Sequence, residues 1–168
     1  MPKNQPVERH FTATGFIIYN NYTLLHWHKK VNAWLPPGGH INKNEDPVQA
    51  VIREISEETG IKVSVVGNQF NSNFTEPKRI LTPMAILIED IDDPDSGHHQ
   101  HIDLIYACQP KHQILNLLQG WYWVSREMLI ARQTNNYNNK NSLVPPEDVR
   151  ELALEAFEIV DSLLEIDH

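Results

Sequence analysis

The chain has 168 residues, of which 40% are hydrophobic, and its formal net charge is −8 with the histidines neutral. This length suits one compact domain over residues 1–168, with residues 1–8 expected to form a flexible polar segment. The acidic balance argues against general nucleic-acid binding, which depends on Lys and Arg neutralising phosphates. A small phosphorylated ligand remains compatible with it, because a bound metal ion can reverse the local charge.

The single cysteine, Cys108, excludes an intramolecular disulfide and favours a reducing compartment. The polar N-terminus does not resemble a secretory signal, and no apolar run approaches the roughly 18 residues that a membrane-spanning helix needs. We therefore expect a soluble cytoplasmic protein without a membrane partner.

The first part of the chain predicts a β-hairpin followed by a loop. Two apolar, β-rich runs, Phe11–Tyr19 and Tyr22–His28, flank the turn residues Asn20 and Asn21. The segment Trp34–Gly39 contains two prolines and two glycines, so it is expected to be a loop.

A helix is predicted to begin at Asp46-Pro47, because Asp can cap free backbone N–H groups and Pro fits the first helical position. Gly60 fits the position just past the end of this helix. One apolar stripe at helical spacing is formed by Val48, Val51, Ile52 and Ile55.

The remaining elements follow from the alternation of apolar runs and polar breaks. Strands are expected at Ile61–Val66, Ile80–Ile88, Ile102–Gln109 and Trp121–Val124, a polar loop at Asp90–His101, helices at Ser125–Ala131 and Pro146–Leu164, and a mobile asparagine-rich segment at Thr134–Ser142. This order predicts a mixed α/β or α+β domain in which a sheet lies between helices.

Three carboxylates share one face of the first predicted helix. With Val48 at zero, Glu54, Glu57 and Glu58 fall at about 240°, 180° and 280°, beside the apolar stripe. Each like-charge pair costs an isolated helix roughly 0.2–0.5 kcal/mol, so a compensating cation is expected. Mg²⁺ prefers such hard oxygen ligands. A solvated acidic helix face is the alternative, since surface glutamates are good helix formers.

The segment Gly39–Ile61 resembles the Nudix box. Its pattern is Gly, five residues, Glu, seven residues, then Arg-Glu-aliphatic-x-Glu-Glu-x-Gly-aliphatic, and every position is filled. The flanks WLPPGG and a late Trp before a short helix are also similar to the Nudix (MutT-like) family. The resemblance implies an α/β/α sandwich around a mixed sheet, hydrolysis of nucleoside diphosphates linked to another moiety, and a requirement for Mg²⁺ or Mn²⁺.

Roles for the box residues follow from this resemblance. It implies that Glu57 and Glu58 bind the metal with the Gly38 carbonyl, and that Glu54 is a ligand or the general base. Glu57 remains an equal candidate for the base. Arg53 is implied to orient a box glutamate by a charge-assisted hydrogen bond. Supporting positions behind the ligands are assigned to Glu45 and Gly39.

Residues outside the box are candidates for completing the site. A further metal-binding acid is sought among Asp92, Asp93, Asp95 and Asp103, although each could be an ordinary loop or strand acid. Candidate substrate contacts are His98, His99, His101, Asp103 and the aromatic residues Phe70, Phe74 and Tyr137. The histidines could also act in proton transfer or bind a transition metal, or they could simply belong to a polar loop. The aromatic rings could belong to ordinary packing.

The leading hypothesis is an Mg²⁺-dependent pyrophosphohydrolase, either a monomer or a homodimer. Its substrate is a nucleoside triphosphate, ADP-ribose, a nucleotide sugar or a similar small nucleotide. The spacing from Ile61 to Pro77 resembles that of the ADP-ribose pyrophosphatase subgroup, but a nucleoside triphosphate substrate is equally open. A catalytically silent Nudix-fold nucleotide sensor is the second hypothesis, and a plain acidic interaction domain the third.

Overall fold

The computed structural model describes residues 7–67, 74–114, 116–133 and 144–166. The strands are β1 (Arg9–Tyr19), β2 (Tyr22–His28), β3 (Ala33–Leu35), β4 (Gly38–His40), β5 (Val63–Val66), β6 (Ala85–Asp93), β7 (Gly97–Pro110) and β8 (Trp121–Ser125). The helices are α1 (Pro47–Thr59), α2 (Arg126–Ile130) and α3 (Glu147–Ile166).

The strands form one mixed eight-stranded sheet with the central order β3-β2-β1-β7-β5. β1 and β7 are parallel neighbours from the pair Arg9–Gln100 to the pair Ile17–Cys108. All the other pairings are antiparallel. Outside the central order, β4 pairs with β1, β6 with β7, and β8 with β2. The parallel pair therefore brings the N-terminal strand beside a strand that follows it by about ninety residues.

Two apolar cores lie on opposite faces of this sheet. On one face, Ala13 and Ile17 of β1 pack with Val51 and Ile55 of α1. On the other, Phe16 packs in a core whose α3 members are Val149, Ala153, Ala156, Phe157 and Val160. Helices thus cover both faces, which confirms the α/β/α sandwich.

Local signals at both ends of α1 act as predicted. The Asp46 side chain accepts a hydrogen bond from the Gln49 N–H, and the Gln49 side chain accepts one from the Asp46 N–H, which completes a capping box. Gly60 has φ 73°, a left-handed conformation that glycine adopts without strain, and its N–H donates to the Ser56 carbonyl. The ends of α1 are therefore set by near neighbours in sequence.

The predicted loop Trp34–Gly39 was partly wrong, because it contains the end of β3 and most of β4. In β4, Gly38 and Gly39 pair with Thr14 and Ala13 of β1. A Cβ atom on Gly38 would lie 2.5 Å from Thr14 Oγ1. The glycines therefore serve a close strand pairing here, not a turn.

The prediction for residues 80–101 was also wrong at two points. The strand begins at Ala85 and not at Ile80. Pro83 lies between these two residues, and it has no N–H group to donate to a neighbouring strand. The supposed polar loop Asp90–His101 is mostly a hairpin, because β6 runs to Asp93 and β7 starts at Gly97. Its polar composition reflects exposed cross-strand pairs such as Asp92 with His98.

Other boundaries differ little from the prediction. The hairpin, the strand Trp121–Val124 and the helices at Ser125–Ala131 and Pro146–Leu164 are confirmed to within a few residues, whereas β5 starts two residues after the predicted Ile61. The segment predicted to be mobile, and the candidates Phe70 and Tyr137, fall outside the described residues. Among the helices described, none is both long and apolar enough to cross a membrane.

Candidate metal and phosphate site

The Arg53 side chain on α1 binds the carboxylate of Glu45, which precedes the helix. Arg53 Nε donates to Glu45 Oε1 at 2.8 Å, and Nη2 donates to Oε2 at 2.9 Å. The Asn42 N–H adds a third bond to Oε2 at 3.0 Å. The hydrogen bonds from Arg53 lower the pKa of Glu45, so this carboxylate stays charged and keeps the guanidinium oriented.

The same guanidinium reaches the carboxylates of the helix face. Nη1 of Arg53 donates to Glu54 Oε1 at 2.7 Å and to Glu57 Oε2 at 3.1 Å. Nη2 also donates to the His40 carbonyl at 3.0 Å. Arg53 therefore offsets part of the repulsion among these glutamates, because its long side chain turns back toward Glu54 and Glu57.

Glu54 lies directly against the backbone of β4. A Cβ atom built on Gly39 would be 2.6 Å from both Cδ and Oε1 of Glu54. The Glu54 side chain is only 16% exposed, whereas that of Glu57 is 61% exposed. The absence of a side chain at Gly39 thus gives the Glu54 carboxylate its place beside the strand.

Glu58 occupies the third position of the carboxylate face. Its Oε2 accepts a hydrogen bond from the Gly38 N–H at 3.1 Å. Burial raises the pKa of Glu58, the Gly38 N–H opposes this, and the charges of Glu54 and Glu57 raise it further. The backbone carbonyl of Glu58 accepts from Trp121 Nε1 at 2.9 Å, so β8 supports the last turn of α1.

The donor chemistry of this face fits a hard divalent cation. Glu54, Glu57 and Glu58 offer only carboxylate oxygens, and, after burial, the charges of Glu54 and Glu57 contribute to the raised pKa of Glu58. The space above Gly39 allows Glu54 close to the β4 backbone. Oxygen ligands of this kind suit Mg²⁺ or Mn²⁺. Together these residues could hold such an ion and the phosphates bound to it.

The loop acids predicted to complete the site have local partners in the β6–β7 hairpin. Asp93 Oδ1 accepts from the N–H groups of Asp95 and Ser96 at 2.8 and 3.1 Å, which lowers its pKa. Asp92 Oδ1 lies 2.9 Å from His98 Nδ1. Turn formation and cross-strand pairing therefore account for these contacts.

Asp103 differs from the other candidates because it is 4% exposed. Thr12 Oγ1 donates to its Oδ1 at 2.8 Å across the β1–β7 pair. Burial raises the pKa of Asp103, whereas hydrogen bonds from Thr14 and Thr12 act to lower it. An unpredicted acid, Glu89 of β6, also has its pKa raised to about 7, by burial and by the charges of Asp103 and Asp148.

The three predicted histidines do not form one group. His98 is exposed and lies 2.9 Å from Asp92. His99 and His101, two residues apart on β7, lie together, with their Nε2 atoms 3.2 Å apart. They meet His10 of β1, which sequence reasoning missed, because only the parallel pairing of β1 with β7 brings it there.

Of the candidate aromatic contacts, Phe74 is within the described residues. Phe74 is 45% exposed, and the Arg79 guanidinium lies 5.2 Å from the centroid of its ring. This stacking on a neighbouring cation gives Phe74 a local role. A contact with a substrate base stays a prediction.

The chain has an α/β/α fold. Its helix α1 carries three glutamates on one face, and Arg53 connects two of them to β4 through the His40 carbonyl. The NUDIX domain profile matches residues 9–146. The protein belongs to the Nudix family, as the box pattern predicted.

Several relatives share this region. The RNA pyrophosphohydrolase of Actinobacillus succinogenes is 30% identical over 128 residues, or 66% of this chain and 59% of the relative. The asymmetrical bis(5′-nucleosyl)-tetraphosphatase of Rattus norvegicus is 30% identical over 99 residues, or 52% of this chain and 67% of the relative. The chain thus spans less than two thirds of the length of that RNA pyrophosphohydrolase.

A solved Nudix structure extends the likeness over nearly the whole chain. The NUDIX family hydrolase of Clostridium perfringens has a TM-score of 0.72 and 29% identity. The match covers 92% of this chain and 99% of that one. The two proteins therefore share their fold over most of this chain.

Proposed function

We propose that this protein hydrolyses a phosphoanhydride bond in a nucleoside polyphosphate or another nucleoside diphosphate-linked substrate, with Mg²⁺ as its metal. The observation that carries the proposal is the Arg53 network, in which one guanidinium binds Glu45, Glu54 and Glu57. A solvated acidic helix face has no need of such an arrangement. The network holds the carboxylates in fixed positions.

The metal would be held by Glu57 and Glu58, with Glu54 and the Gly38 carbonyl beside them. When bound, Mg²⁺ supplies charge neutralisation at the phosphoryl oxygens and lowers the pKa of water. Glu54 or Glu57 then accepts the proton of the attacking water. Arg53 keeps both of these carboxylates in place, and Glu45 keeps Arg53 in place.

The names of the relatives favour a polyphosphate chain on a nucleotide. One acts on RNA and the other on a bis(5′-nucleosyl) tetraphosphate, by their names. Both names describe hydrolysis within the phosphates of a nucleotide compound. The net charge of −8 argues that recognition is limited to the phosphate end and a nearby nucleotide, without extended nucleic-acid contacts.

The test is a hydrolysis screen with the purified full chain. It covers 5′-triphosphorylated RNA, dinucleoside polyphosphates, nucleoside triphosphates, ADP-ribose, nucleotide sugars and NADH, each with Mg²⁺, with Mn²⁺ and with a chelator. We expect turnover that requires the metal and falls by at least about 100-fold in Glu57→Gln. Because the Glu57 side chain is 61% exposed, this variant should fold normally.

The matched control is Glu155→Gln, which changes an exposed glutamate of α3. It should keep the wild-type rate. Full activity of Glu57→Gln with metal present would overturn the mechanism. Tight nucleotide binding without turnover of any substrate would instead favour the silent sensor module.

A further inference from the structure

Four histidines meet at one corner of the sheet, on the face opposite α1. The ring centroid of His10 lies 5.0 Å from that of His99 and 5.4 Å from that of His40. The centroid of His101 lies 4.9 Å from that of His40 and 5.0 Å from that of His99. One imidazole therefore comes from β1, one from β4 and two from β7.

Three of these rings have their ligand atoms close together. One nitrogen from each of His10, His99 and His101 lies within 4.8 Å of the other two, and within the described ranges no other trio of His, Cys, Asp or Glu does so. Around a tetrahedral Zn²⁺ with bonds of about 2.0–2.1 Å, nitrogens stand roughly 3.3 Å apart. Small side-chain rotations would bring these nitrogens to that spacing.

In two of these rings, one nitrogen donates a hydrogen bond outside the trio, which leaves a lone pair on the other nitrogen. His99 Nδ1 lies 3.0 Å from the Gly97 carbonyl, which can only accept, so Nδ1 carries the proton and Nε2 keeps its lone pair. His10 Nε2 lies 3.1 Å from Glu8 Oε1, which leaves the lone pair on Nδ1. A backbone carbonyl or a carboxylate on the outer N–H is the usual arrangement behind a metal-bound histidine.

The three rings of this trio are partly shielded from solvent. His99 itself is 5% exposed. A partly buried trio of imidazoles without a carboxylate ligand suits a borderline metal such as Zn²⁺ and not Mg²⁺.

We propose that His10, His99 and His101, with His40 at their edge, form a Zn²⁺ site that is separate from the carboxylate face of α1. The bound ion would tie the start of β1 to β7. It would also lie beside His40, whose carbonyl accepts from Arg53. The site thus lies beside a residue at the start of the Nudix box, and the proposal does not depend on the proposed function.

The test is calorimetric titration of Zn²⁺ into the full, metal-stripped chain without a polyhistidine tag. The buffer contains millimolar Mg²⁺, so that Mg²⁺ already occupies the carboxylate face. We expect one Zn²⁺ per chain at micromolar affinity or tighter. Glu8→Gln, which is remote from the core, should weaken binding by about 10-fold or more through the orientation of His10. His10→Asn and His99→Asn should weaken it further.

The matched control is His112→Asn, which removes an exposed histidine outside this group and should leave Zn²⁺ affinity unchanged. Because His99 is buried, circular dichroism is used to check that His99→Asn still folds. His10 is partly exposed, so His10→Asn tests the site with a smaller effect on folding. Absence of stoichiometric Zn²⁺ binding would overturn the proposal. So would Zn²⁺ binding that survives His10→Asn but is lost in Glu57→Gln, since that would locate the ion at the carboxylate face.

Discussion

Arg53 binds Glu45 through two parallel hydrogen bonds, with Nε 2.8 Å from one carboxylate oxygen and Nη2 2.9 Å from the other. This leaves Nη1 free of Glu45 and directed to Glu54 and Glu57. The planar fork of a guanidinium makes the arrangement possible, because its donors have a fixed relative geometry. One residue therefore sets the position of two others that we propose to act on the metal and on water.

Replacing Arg53 tests this positioning. Arg53→Lys keeps the charge but removes the fork, so we expect kcat to fall by about 10- to 100-fold while KM changes little. Steady-state kinetics on the best substrate of the screen measures both. Arg132→Lys, in an exposed pair with Glu147, is the control and should keep the wild-type kcat. A wild-type kcat for Arg53→Lys would show that the fork has no positioning role.

A methyl group at Gly39 should displace the Glu54 carboxylate. Its Cβ would lie 2.6 Å from Glu54 Cδ, and the end of this side chain can move aside without unfolding the protein. We therefore expect Gly39→Ala to lose at least about 10-fold in kcat with a nearly unchanged melting temperature. Gly67→Ala is the control, since a Cβ there meets nothing within 4 Å. Equal activity of the two variants would contradict the prediction.

A methyl group at Gly15 should act on stability instead. Its Cβ would lie 2.6 Å from Ile55 Cδ1 and 2.8 Å from Val51 Cγ2, where α1 packs on β1. Such overpacking costs about 1–3 kcal/mol, so Gly15→Ala should lower the free energy of unfolding by that amount in a urea titration. Adding Ile55→Val should recover part of the loss. If Gly15→Ala is as stable as Gly67→Ala, this contact is looser than the structure indicates.

Glu89 should make folding stability fall as the pH rises. Burial and the charges of Asp103 and Asp148 raise its pKa to about 7, above the ordinary value of 4.5. The folded state therefore holds this proton more tightly than the unfolded state does, and the associated stability is lost between pH 4.5 and about 7. Its cross-strand partner His101 is neutral in this range, because its pKa is lowered to about 4.

Melting temperatures measured from pH 5 to pH 9 check the role of Glu89. Glu89→Gln carries no proton to lose, so it should be more stable than wild type at high pH and show a flatter profile through neutrality. The neighbouring Asp90→Asn is the control, as Asp90 is exposed on the same strand. Identical profiles for Glu89→Gln and wild type would contradict the raised pKa.

The sequence by itself determined α1 and the positions of its carboxylates. Asp46, Gln49 and Gly60 act on backbone groups within four residues of themselves, so their effect is readable from spacing alone. The helical period likewise placed Glu54, Glu57 and Glu58 on one side. The box pattern is a spacing of residues on this same helix and its preceding loop. It predicted the family, and the family predicted the sandwich fold.

Only the tertiary structure decided which residues from distant strands meet. Nothing local indicates that Gly38 and Gly39 would pair with β1, that Gly15 would touch Ile55, or that polar residues 90–101 would form a hairpin. These contacts depend on strand register and on burial against a second element, both of which are properties of the assembled sheet. His10 meets His101 for the same reason: β1 and β7 lie side by side in parallel, although ninety-one residues separate the two rings along the chain.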